Sequence, residues 1–78
     1  MSKVEKIIEN FKKSNAGQKY EDCERVMLYL GYEKRKTKGS HVVFNKKRCE
    51  YVIIANHKPV SKDAVKDVLT AWEKHYVT

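Results

Sequence analysis

At 78 residues, with 41% hydrophobic and 35% charged side chains, the chain is long enough for one small core and too short for a second. Seventeen Lys and Arg stand against ten Asp and Glu, a formal net charge of +7 that favours a polyanionic partner, nucleic acid ahead of a membrane surface. No apolar run approaches the ~18 residues that span a bilayer, no signal-peptide pattern is present, and Cys23 and Cys49 form no CxxC, so the sequence reads as a cytoplasmic protein with reduced thiols.

From Ser2 to about Lys13, Val4, Ile7, Ile8 and Phe11 recur at the spacing of one helix face. Ser14 to Gly17 then breaks the pattern as a turn. A second helix is expected from about Glu21 to Leu30, with Cys23, Val26, Met27 and Leu30 as its apolar stripe and acids crowding its first turn. Gly31 is suited to the left-handed position that closes it. Tyr32 to Lys38 reads as a strand, Gly39-Ser40 as part of a connection, and His41 to Asn45 as a second strand rich in β-branched and aromatic residues. Asn45 to Arg48 is a polar turn, and Glu50 to Ala55 a third strand. Asn56 to Pro59 forms a loop, and Ser61 caps a final helix whose stripe is Val65, Val68, Leu69 and Trp72, extended by Tyr76. The order α-α-β-β-β-α, with short connections between strands, implies an α+β fold: a three-stranded antiparallel meander packed against helices on one face. If Phe44 packs under those helices, period-two alternation puts Val42 with it and His41 and Val43 on the open face.

The charge is not spread evenly. Lys34, Arg35, Lys36, Lys38, Lys46, Lys47 and Arg48 fall in a segment that holds no acid, and removing them leaves ten bases against ten acids. Such a field attracts a phosphate backbone largely without regard to sequence; an acidic protein partner is the competing reading. Gly39, Ser40 and His41 stand in its middle. A glycine there admits close approach of a substrate backbone. An imidazole titrating near neutrality can take a proton from a ribose 2′-OH or give one to a leaving oxygen, in a field that stabilises charge on a phosphorane. Ser40 reads as a hydrogen-bonder rather than a nucleophile, because neighbouring strand residues point to opposite faces and no orienting acid stands beside the pair. No zinc spacing links the cysteines and histidines, and the carboxylates mostly avoid the basic segment, so no metal or other cofactor is expected. His57 and Lys58, before the last helix, could supply a second proton transfer or a phosphate contact.

From Gly31-Tyr32-Glu33 through Arg35-Lys36 and Lys38-Gly39-Ser40-His41-Val42-Val43-Phe44, the chain resembles the HicA toxin family, mRNA interferases of HicA/HicB type II toxin–antitoxin pairs. The similarity extends upstream to Tyr20, Cys23 and Met27–Tyr32, and downstream to His57-Lys58-Pro59-Val60 and the helix carrying Val65, Val68 and Leu69, covering roughly Tyr20 to Trp72. It implies a core like that of double-stranded-RNA-binding domains over residues 20–76, preceded by an N-terminal helical extension over 1–17, in one domain spanning the chain. It also implies metal-independent cleavage of mRNA and neutralisation by a HicB-like antitoxin that covers the site. On the family pattern His41 is catalytic, Gly39 and Ser40 shape the site, and the place where many members carry a second histidine is Val42. A non-catalytic RNA-binding module of the same fold is the alternative.

Overall fold

The computed structural model describes residues 3–36 and 39–77; Ser2 and Lys38, which the sequence assigns to the first helix and first strand, lie outside the described residues. Helix α1 spans Lys3–Lys13, α2 Tyr20–Tyr29 and α3 Lys62–Trp72, the last running on into a π-helical turn at Glu73–Val77. Strands β1 (Glu33–Lys36), β2 (His41–Asn45) and β3 (Val52–Ala55) form one antiparallel sheet in the order β1-β2-β3. Element order and sheet match the α+β meander expected from the sequence.

All three helices turn the stripes read from the sequence towards one core. Val4, Ile7, Ile8 and Phe11 of α1, Cys23, Val26 and Met27 of α2, and Val65, Val68 and Trp72 of α3 are buried together with Val42, Phe44 and Ile54 of the sheet. Phe11, Phe44 and Met27 are the largest side chains sealed completely from solvent. No described polar or charged residue is buried, so hydrophobic burial carries this core without internal ion pairs. Cys23 sits in it as a small apolar residue, and burial pushes its thiol up to about 12. Leu69 packs against the core in part, whereas the side chain of Tyr76 lies outside the described set.

Three local devices set the strands. Helix α2 ends at Gly31, whose φ of +93° is the left-handed conformation that only glycine adopts without strain. There the Gly31 amide donates to the Leu28 carbonyl and the Tyr32 amide to Met27, the paired bonds of a Schellman motif. Buried Tyr32 then turns the chain into β1. The second device is longer than the sequence suggests: β3 starts at Val52 rather than Glu50, because the β2–β3 connection closes on itself. Its Cys49 amide donates to the Lys46 carbonyl at 3.0 Å with Arg48 at φ +67°, and a strand cannot resume until that turn is complete. Beyond β3 the chain passes through a cis Lys58–Pro59 bond, and the Val60 amide donates to Gln18 between α1 and α2. Ser61 then caps α3, its hydroxyl accepting from the Ala64 amide at 3.1 Å.

Candidate active site and nucleic-acid interface

Strand β2 decides where the chemistry can be. Val42 and Phe44 are buried, Val43 and Asn45 are partly exposed, and His41 is exposed. With the helices on the Val42–Phe44 side, His41 therefore projects from the open face, at the first residue of a strand paired on both sides. Its cross-strand neighbour is Ala55, and Arg35 faces Val43 one row further along. From strand geometry, the Cα atoms of Arg35 and His41 lie about 8 Å apart, which puts Arg35 on the same open face one row from the imidazole.

The pairing of β2 with β3 runs past their ends. Asn56 donates its amide to the Ser40 carbonyl at 2.7 Å, and the His57 amide donates to Ala55 at 2.9 Å, closing a tight three-residue turn. Exposed His57 and Lys58 thus leave the sheet next to Gly39-Ser40-His41. Gly39 has φ +72°, and a Cβ added there would meet no atom within 4 Å. Its reason is therefore conformational, and the space in front of it is open. Sequence reading offered His57 and Lys58 as possible contributors; the bond that brings them here, from Asn56 to a carbonyl, leaves no trace in residue type.

Contiguous in sequence, the basic segment is divided in space. Lys34 lies opposite Phe44, on the helix side of β1, and its ammonium is ion-paired with the Glu24 carboxylate of α2. That hydrogen bond raises the Lys34 ammonium above its ordinary value. Arg35 meets Glu33 loosely at 3.9 Å, with both side chains well exposed, a pair that solvent and salt weaken. Lys36 pairs through its backbone with Val42. Lys46, Lys47 and Arg48 sit at the other end of β2, separated from His41 by the length of the strand, about 13 Å or more. There Lys46 is engaged: its Nζ donates to the Leu30 carbonyl at 2.6 Å and lies 5.8 Å from the centre of the Tyr32 ring. Lys47 and Arg48 are exposed. The structure thus brings Gly39, Ser40, His41 and Arg35 together with the 56–58 loop, and does not bring the second cluster of bases to them.

Apolar side chains complete the open face. Tyr51 is 63% exposed and Ile53, the partner of Val43, is 47% exposed. Among the described residues no group of three or more His, Cys, Asp or Glu side chains is placed to share a metal ion, and no helix is long and apolar enough to cross a membrane.

Fold and site together define a small basic α+β domain with one histidine mounted at a strand start on the solvent side of its sheet. Residues 20–72 match the family model described as the HicA toxin of bacterial toxin–antitoxin systems, and the chain belongs to that family of toxins. The matched stretch opens at the first residue of α2 and closes at the last of α3, so it contains every described site residue and leaves α1 outside. Neither the curated proteins nor the solved structures contain a significant match.

Proposed function

We propose that this toxin is a metal-independent endoribonuclease that cuts mRNA in the cytoplasm, with His41 as general acid or base at the scissile phosphodiester. The observation that carries this reading is the exposed His41 beside open space at Gly39, inside the family-matched segment. The 2′-OH adjacent to the scissile phosphate is the simplest nucleophile. His41 takes its proton or delivers one to the departing 5′-oxygen. His57, leaving the sheet next to His41, is our candidate for the opposite proton transfer. Arg35 holds the backbone nearest the cut, Lys36 and Lys38 are further candidate RNA contacts, Ser40 donates a hydrogen bond to phosphate, and Lys47 and Arg48 meet RNA further along. Lys34 and Lys46 are already engaged within the fold and contribute less. A HicB-like antitoxin neutralises the toxin by covering the His41 end of the sheet.

The test is purified protein on RNA with EDTA present, alongside His41→Ala and His57→Ala. Cleavage is expected to persist in EDTA and to fall on the order of a hundredfold or more in His41→Ala, the scale of a lost proton carrier. Unchanged cutting by His41→Ala removes the assignment. A single 2′-deoxy at the cut site is expected to block the reaction, and continued cutting there excludes 2′-OH attack. The second reading is a non-catalytic RNA-binding module, which the exposed Tyr51 and Ile53 on the same face favour; it predicts RNA binding without cleavage.

A further inference from the structure

A second cluster of reactive groups lies at the end of β2 away from His41. It joins three separate segments: Tyr32 after α2, Lys46 and Cys49 in the β2–β3 turn, and His75 in the C-terminal π-helical turn. His75 Nε2 is 3.6 Å from Cys49 Sγ and 2.9 Å from the Tyr32 hydroxyl. The Tyr32 and His75 rings meet edge to face, with centroids 5.5 Å apart. Lys46, held by the Leu30 carbonyl and the Tyr32 ring, puts a fixed positive charge on the turn that carries Cys49.

We propose that Cys49 is a nucleophilic thiol with His75 as its base, a site for exchange with small disulfides of the glutathione class. Three observations lead there. First, Cys49 is partly exposed, whereas Cys23 is sealed in the core. Second, thiol and imidazole are in contact although 26 residues apart in sequence, the nucleophile–base juxtaposition that activates a cysteine. Burial, followed by the charges of Lys46 and Lys74, holds the His75 imidazole below its ordinary value, so it is neutral near pH 7 and has a lone pair for the thiol proton. Third, a cleft of about 340 Å³ opens beside the cluster, lined by Tyr32, by Glu50 next to Cys49 and by Lys74 next to His75. Lys74 there can take one carboxylate of a glutathione unit and Glu50 its ammonium, while Asp67 adds a second acid to the wall.

In the exchange, the Sγ proton passes to His75 Nε2 and the sulfur attacks one sulfur of the incoming disulfide. A new S–S bond forms at Cys49 while the old one breaks. The departing thiolate takes the proton back from His75 and leaves as a thiol. The small disulfide is the oxidant, and nothing else is consumed.

The experiment incubates the full chain with glutathione disulfide and follows adducts by intact mass and peptide mapping, for the parent, His75→Asn and Tyr32→Phe. One adduct is expected, on Cys49, with none on Cys23. His75→Asn should slow its formation by about tenfold, less than the ~100-fold usual for general bases because sulfur is intrinsically a strong nucleophile. Tyr32→Phe should react at least as fast as the parent, since it leaves Nε2 to the thiol alone. No adduct on Cys49, or His75→Asn reacting as fast as the parent, overturns the proposal. If His75→Asn unfolds, which an adduct on Cys23 reports, Tyr32→Phe decides: slower reaction than the parent refutes the pairing, and equal or faster reaction supports it.

Discussion

The division of the basic segment makes a measurable claim about how each base meets RNA. A cation that neutralises one phosphate of a single strand contributes about 0.7 to the slope of log affinity against log salt. Raising salt fourfold, from about 50 to about 200 mM, then costs about 2.6-fold in affinity per contact. Lys34 is held by Glu24 whereas Arg35 is paired only loosely, so the two neighbours should behave differently. In a His41→Ala background that prevents cutting, Arg35→Ala is expected to lower the slope by about 0.7, and Lys34→Ala to leave it nearly unchanged. Glu24→Gln releases Lys34 and should raise the slope towards one additional contact. Fluorescence anisotropy of a labelled single-stranded RNA, titrated at four or five salt concentrations, reads all three. If Lys34→Ala lowers the slope as much as Arg35→Ala, the Glu24 pair does not withhold Lys34 and the spatial division has no consequence for binding.

Two further predictions concern stability. Gly31→Ala forces a side chain into a φ of +93° and should cost about 1–2 kcal/mol in chemical denaturation, with the denaturant slope unchanged; a neutral effect would mean that the α2 terminus can close another way. For His75 the folded value lies below the unfolded one, so its contribution is present above about pH 6.5 and is lost as pH falls through the folded value. The thermal midpoint of the parent should therefore drop more than that of His75→Gln on acidification across this range, and parallel curves would refute the assignment.

Much of the scaffold was legible because it depends on local rules. The spacing of Val4, Ile7, Ile8 and Phe11 needs only a helix period, and Gly31 only a conformation that other residues avoid. Even the face of His41 followed from one premise, that Phe44 is core. What could not be read are contacts whose partners are distant in sequence and ordinary in type. Lys34 and Glu24 are ten positions apart and could each have faced water. Lys46 looks like its neighbour Lys47, yet it closes the end of α2 through a backbone carbonyl. The boundary of β3 slipped for a related reason: Glu50 and Tyr51 suit a strand, but left-handed Arg48 and the Cys49–Lys46 bond delay its start. At the site, the triplet Gly39-Ser40-His41 was visible as a motif, whereas the proximity of the 56–58 loop rests on a main-chain hydrogen bond.

Helix α1 lies outside the matched segment, yet Phe11 is among the most deeply enclosed side chains in the molecule. Resemblance and packing therefore draw different borders. A fragment cut at Tyr20 would keep every residue proposed for RNA chemistry and lose the lid over its own interior, leaving an oily cavity mouth between α2 and α3. Such a fragment would be prone to stick to itself, and its inactivity would say nothing about His41. Any dissection of this toxin has to treat the first helix as part of the machine's casing, to be varied one side chain at a time and not removed.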